Sequence, residues 1–172
     1  MARNVLILCG PDGAARHAAD WAALSGSDLG LVHTCRDPAE LRSSGGRIEQ
    51  DRDYGGRVLS AFDEPLAVGS AVAQLAGHAE AVVVDRLDDW AARLSAHYAD
   101  DSESIDAELT ALRSVMNAQL LDLYLISRAA GTGDEAAAAL HRRMLAELQP
   151  LCEVVVDAST GTPRAVRGAL PA

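Results

Sequence analysis

Short apolar runs alternate with stretches of helical periodicity along the chain. The runs are rich in leucine or β-branched residues and occupy Asn4–Cys9, Leu29–Thr34, Ala81–Asp85, Leu123–Ser127 and Glu153–Ala158. Such runs, separated by helical stretches, predict the strands of a mostly parallel sheet that is covered by helices. We also expect a short edge strand at Ala165–Arg167, within a 160–172 tail that frays at its end.

Helices are predicted in the intervals between these strands. The predicted ranges are 14–24, Ala67–Gly77, Leu87–Ala99, 103–121 and 134–149. The 103–121 helix carries apolar residues at helical spacing, namely Ile105, Leu109, Leu112, Val115, Met116, Leu120 and Leu121. Trp21 and Trp90 fall on predicted helices, where core or interface anchors are expected. The pattern predicts one α/β domain over residues 1–172 with a central sheet flanked by helices.

Charge narrows the classes of partner. The net charge is −10, and all 15 basic residues are arginine. An acidic chain is a poor match for nucleic acid or an anionic membrane, so neither is expected as a partner. No apolar run reaches the ~18 residues of a membrane span, and no signal-peptide pattern precedes the first strand, so a cytoplasmic protein is expected. The arginine- and alanine-rich composition points to a high-GC bacterium.

Cysteine and histidine give weak signals. The three cysteines stand outside any CxxC pattern, which argues against a disulfide framework or a structural zinc site. Cys9, His33 and Cys35 end two strands that we expect near one another, so a metal or thiol site remains an alternative there. His78, His97 and His141 lack partners that the sequence could reveal and are expected at surface or interface positions.

The clearest motif follows the first strand. The segment CGPDGAARHAAD, residues 9–20, places glycines between a strand and a helix, where backbone amides and the helix end attract anions. A P-loop reads GxxxxGK followed by Ser or Thr. Here that triplet falls on Gly13, Ala14 and Ala15, so the ammonium and the hydroxyl are both missing. Asp12 adds a carboxylate that would repel phosphate unless a metal intervenes.

The order of segments resembles the adenosylcobinamide kinase/adenosylcobinamide-phosphate guanylyltransferase family of cobalamin biosynthesis. The matching stretches, in chain order, are CGPDGAARHAAD, LVHT, DPAEL, RIEQDRDYGGR, AVVVDRLDDW, YLISRAAG and CEVVVDASTG. Arg47 with Ile48 and the VVVDRLDDW segment are the most specific. The resemblance implies a P-loop-NTPase-like three-layer fold and a homo-oligomer, a trimer in particular.

The family's chemistry does not carry over onto this chain. By the resemblance, Asp51 stands where the family's guanylylated histidine lies, and a carboxylate cannot form that phosphoramidate. Ala14 and Ala15 replace the Walker lysine and the magnesium-binding serine, and Ser127 with Arg128 replaces an Asn-Glu pair. Asp85 alone keeps its expected identity, as a weak metal ligand. A degenerate family member is therefore expected, with nucleotide or magnesium bound weakly if at all.

Three functions compete. The leading prediction is a catalytically degenerate homologue that serves as a small-molecule-binding, scaffold or partner protein. Its predicted ligand-binding residues are Gly10, Asp12, Gly13, Arg16, His17, Arg47 and Arg52. The first alternative is a repurposed enzyme, in specialised metabolism for instance, with Asp51 and Asp85 as its catalytic residues. The second alternative is residual kinase or guanylyltransferase activity. The sequence does not identify a cofactor.

Overall fold

The computed structural model describes residues 2–10, 21, 28–34, 58–63, 66–129, 134–160 and 162–171. The strands are β1 (Asn4–Cys9), β2 (Leu29–His33), β3 (Val58–Asp63), β4 (Ala81–Asp85), β5 (Asp122–Arg128), β6 (Val154–Ala158) and β7 (Arg164–Arg167). The helices that lie wholly within these ranges are α1 (Val68–Leu75), α2 (Leu87–Tyr98), α3 (Ser102–Ala118) and α4 (Glu135–Leu148). A 3-10 turn, Gln149–Leu151, follows α4.

The strands form one sheet of seven in the order β3-β2-β4-β5-β1-β6-β7. All neighbours are parallel except β7, which runs antiparallel to β6. The strands β4 and β5 lie between β1 and β2, so the chain passes over two strand positions between its first two strands. In an open parallel sheet, ligands bind beyond the carboxyl ends of the strands near such a reversal of order.

Alternating side chains build one core on each face of the sheet. On one face, Leu6, Val84 and Leu125 pack with apolar side chains from all four helices. On the other face, Ile7, Val83 and Ile126 pack with one another and with Trp21, which is helical. Tyr124 on that face donates a hydrogen bond from its hydroxyl to the Trp21 carbonyl oxygen at 3.0 Å. Helices therefore cover both faces, as the three-layer prediction requires.

The five predicted buried strands are confirmed, with ends shifted by at most one residue. The predicted edge strand is also confirmed, as β7. The strand β3 was not predicted, because Ser60 and the acidic Asp63 break its apolar pattern and a glycine-rich stretch precedes it. Both tryptophans belong to the core, as expected: Trp21 and Trp90 are buried.

The long amphipathic helix is confirmed with one correction. The structure buries Ile105, Leu109, Leu112 and Met116 of α3, but the helix ends at Ala118. Gln119 adopts a left-handed conformation, with φ of 48°. Leu120 therefore lies beyond the helix and is 69% exposed, so its assignment to the apolar face was wrong. Of the described helices, none is both long and apolar enough to cross a bilayer.

Candidate functional site

The carboxyl ends of four adjacent strands carry polar residues. In sheet order these ends are His33 on β2, Asp85 on β4, Arg128 on β5 and Cys9 on β1. Adjacent strands lie about 4.8 Å apart, so the four ends span about 14 Å along this edge. In other open parallel sheets, ligands bind at this edge. We call these four strand ends, together with the residues directly after them, the carboxyl edge.

Gly10 and Asp85 are the predicted site residues that the structure describes. The others, Asp12, Gly13, Arg16, His17, Arg47, Asp51 and Arg52, lie outside the described residues. Gly10 follows β1 closely packed against the end of β6: a Cβ atom there would approach the Ser159 carbonyl oxygen to 3.2 Å. This short distance indicates why a residue without a side chain is favoured at the start of the turn.

Asp85 faces a histidine across the edge. Its Oδ2 atom lies 4.0 Å from Nε2 of His33, and both side chains are buried. Its Oδ1 atom is buried without a hydrogen-bond partner among the described residues. Asp85 does not cap α2, because Arg86 is the N-cap residue and makes no side-chain cap bond. The carboxylate and the imidazole thus lie within ion-pair distance of each other inside the protein.

The turn after β4 has an unusual backbone. Arg86 has φ of 63°, a left-handed conformation that is uncommon outside glycine, asparagine and aspartate. The Thr34 hydroxyl lies 2.8 Å from the Asp85 carbonyl oxygen and 2.6 Å from that of Arg86, which ties the turn to the end of β2. Asp89 pairs with the Arg86 guanidinium at 3.3 Å. Contacts of this kind hold a residue in a conformation that it would otherwise rarely adopt.

A second polar pair lies on the opposite face of the sheet. The Oγ atom of Ser127 and Nε2 of His141 on α4 are 2.6 Å apart, and both side chains are buried. Burial lowers the pKa of His141, and the Asp88 carboxylate opposes that shift. The predicted surface or interface position of His141 was wrong, because the residue is 5% exposed. Its partner lies 14 residues earlier on another element, so local spacing could not reveal the contact.

The acidic residues Asp88 and Asp89 lie in the first turn of α2. Asp88 accepts a hydrogen bond from the Arg128 backbone N–H at 3.0 Å, so it joins α2 to the end of β5. Burial raises the pKa of Asp88, while that hydrogen bond lowers it. Asp88 thus connects the Ser127–His141 pair with Arg128.

The structure does not bring Cys9 next to His33. Because β4 and β5 separate their strands, the two residues end strands about 14 Å apart, and the expected proximity was wrong. Cys35 lies outside the described residues. Within the described part of the chain, no three His, Cys, Asp or Glu side chains are grouped so as to hold a metal ion. Cys9 and Cys152 are buried thiols.

Because its folded-state pKa is lowered, we expect His141 to make stability depend on pH. An unfolded histidine titrates near pH 6.5, so below this pH the unfolded chain binds more protons than the folded one. The free energy of unfolding should therefore fall as pH drops from about 7 towards the folded-state pKa. Denaturant unfolding at a series of pH values measures this slope. His141→Gln should flatten it and His78→Gln, at an exposed position, should not; equal slopes in both variants would contradict the assignment.

A comparison with solved structures finds a protein of similar fold that supports the architecture. The KaiC-like protein PH0186 from the hyperthermophilic archaeon Pyrococcus horikoshii OT3 is 14% identical, with a TM-score of 0.50 over 95% of this chain and 76% of that one. The RadB recombinase is 13% identical, with a TM-score of 0.48 over 98% of this chain and 82% of that one. No protein-family model and no curated protein sequence matches the chain. The fold is P-loop-NTPase-like, as predicted.

Proposed function

We propose that the chain is a catalytically degenerate homologue of the cobinamide kinase/guanylyltransferase family that binds a small molecule at its carboxyl edge, acting as a binding, scaffold or partner protein. The observation that carries the proposal is the pairing of Asp85 with His33 at 4.0 Å inside the protein. In the resembled family this acid is the expected metal ligand. Here an imidazole faces it, and the sequence lacks the P-loop lysine and hydroxyl.

The charge at the end of β5 supports the same conclusion. Where the resembled family has an Asn-Glu pair, this chain has Ser127, bound to His141, and Arg128. The Arg128 guanidinium cannot replace a carboxylate as a metal ligand or as a base. Ser127 is only 1% exposed, so its hydroxyl is not accessible to a substrate. Two consecutive positions at the end of β5 thus carry side chains unsuited to the parent reactions, in addition to those replaced in the loop.

The proposal extends to self-association, in the form of a homo-oligomer and by family analogy a trimer. The apolar face of α3 does not provide that contact, because Leu109, Leu112 and Met116 are already buried within one chain. The large apolar side chains that are exposed among the described residues are those of Leu120, Val166 and Leu170, which leaves them available for such a contact.

We expect no transfer activity and no magnesium-dependent nucleotide binding. Thermal unfolding would be followed with GTP, ATP and cobinamide, with and without magnesium, because a ligand of the folded state raises Tm. Phosphate transfer to cobinamide would be measured in parallel. We expect a Tm change within about 1 °C for GTP or ATP with magnesium, since a ligand far below its Kd adds almost no stability.

Transfer to cobinamide would contradict the proposal and favour residual family activity. Turnover of another substrate that disappears in Asp85→Asn, with folding intact, would instead favour the repurposed enzyme. Asp106→Asn is the matched control, because Asp106 is an exposed aspartate on α3.

A further inference from the structure

Arg128 lies where the carboxyl edge meets the turn that leaves β1. It is the last residue of β5 and is in register with Cys9, the last residue of β1. The Ala129 N–H donates to the Cys9 carbonyl oxygen at 3.2 Å, so the two strands stay paired to this point. Gly10 therefore leaves the sheet beside Arg128, about one strand spacing away.

Strand alternation fixes the face on which Arg128 projects. Tyr124 and Ile126, four and two residues earlier on β5, pack on the face that also carries Ile7 and Cys9. Residues at i, i+2 and i+4 of a strand share a face, so Arg128 continues that row beyond the apolar core. Its side chain thus lies on the same face as the last side chain of β1.

The Arg128 side chain differs from most of the other described arginines in its partners. Most of these pair with carboxylates or with carbonyl oxygens, namely Arg86, Arg113, Arg142, Arg143 and Arg167. The Nε atom of Arg128 is buried and has no hydrogen-bond partner in the described part of the chain. A buried guanidinium donor without an acceptor is costly, and an anion at the edge would remove that cost.

The contacts of Arg128 and the charge of the chain also favour anion binding by this side chain. The backbone N–H of Arg128 is held by Asp88, so the residue is fixed while its guanidinium is left to act elsewhere. The chain has a net charge of −10 and contains no lysine, so a fixed arginine at a ligand-binding edge is one of few means of attracting an anion. A guanidinium presents a rigid fork of N–H donors that matches two oxygens of a phosphate.

We propose that Arg128 is the cationic anchor of an anion site beside Gly10, and that the site takes a small molecule bearing a single phosphate group. The inference rests on the proposed binding function and names its ligand class. One guanidinium neutralises one phosphoryl group, whereas a triphosphate needs the lysine and the metal that the P-loop supplies. Arg128 thus places the positive charge at the end of β5, next to the end of β1.

Inorganic phosphate is the probe, with acetate and chloride at matched ionic strength as controls. At ten times its Kd, phosphate should raise Tm by about 3 °C, and acetate should raise it less. In a titration followed by ¹H–¹⁵N NMR, the backbone amides of Gly10, Arg128 and Ala129 should shift with one saturation curve, and those of β7 should stay in place. This measurement needs no variant. An equal Tm rise with acetate, or amide shifts confined to β7, would overturn the proposal.

Variants give an independent test. Arg128→Gln should weaken phosphate binding by about tenfold or more, because it removes a charge-assisted hydrogen bond. Arg128→Lys should keep part of the affinity, and the exposed Arg164→Gln should leave it unchanged. Unchanged binding in Arg128→Gln would overturn the anchor role. That failure differs from failure of the proposed function, which would appear as transfer to cobinamide by the wild-type chain.

Discussion

Trp90→Ala is expected to lower the free energy of unfolding by about 3 to 5 kcal/mol, the range for truncation of a buried large aromatic. Trp90 is fully buried and lies in the core between the sheet and the four helices. Its indole N–H also donates to the Leu66 carbonyl oxygen at 2.9 Å, so the variant loses a hydrogen bond and leaves a cavity. Since a folded domain is stable by about 5 to 15 kcal/mol, a large part of the total would disappear.

Denaturant unfolding followed by circular dichroism measures this loss, and Tm should fall by roughly 10 °C in parallel. Trp90→Phe retains most of the apolar contact but no N–H donor, and should lose an intermediate amount. Leu120→Ala is the control, because Leu120 is a large apolar residue that is 69% exposed, and a surface change of this kind stays within about 0.5 kcal/mol. A loss in Trp90→Ala no greater than in Leu120→Ala would show that Trp90 is not a core residue.

The framework of the fold could be predicted from the sequence because its signals are local. A buried parallel strand such as Ala81–Asp85 is apolar on both faces, and a helix such as α3 repeats its apolar residues with a period near 3.6. Both patterns stand in a few consecutive residues. The strand β3 lacks such a pattern, because Ser60 and Asp63 interrupt its apolar residues. Its backbone hydrogen bonds with β2 do not depend on apolar side chains, so the strand forms without that signal.

The carboxyl edge could be predicted only in part. The acid at the end of β4 was recognised, because it directly follows an apolar run. The Ser127–His141 contact was not, because a lone histidine on a helix carries no sign of the strand against which it packs. The presumed proximity of Cys9 and His33 failed for a related reason: strand order is set by how the crossovers pack, and the chain passes over β4 and β5 between them.

Arg128 shows how the two kinds of information combine. The sequence identified it as a charge reversal relative to the resembled family, which by itself indicates only the loss of a function. Its register with Cys9 shows where the positive charge lies, and its buried Nε atom indicates that the charge is available to a ligand. A substitution that removes one chemistry can therefore supply the charge for another at the same edge.

Gly69→Ala is expected to destabilise the chain by about 2 to 3 kcal/mol, although alanine favours helices by about 1 kcal/mol relative to glycine. A Cβ atom at Gly69 would lie 2.5 Å from the Leu112 backbone nitrogen and 2.6 Å from the Ala111 carbonyl carbon, so α1 could not stay this close to α3. Gly77→Ala is the matched control: its nearest contact would be the Gln74 carbonyl oxygen at 3.9 Å. There the unfolded chain loses entropy without a clash, so stability should rise by up to about 1 kcal/mol. Equal effects in the two variants, measured by denaturant unfolding, would mean that α1 and α3 do not meet at Gly69.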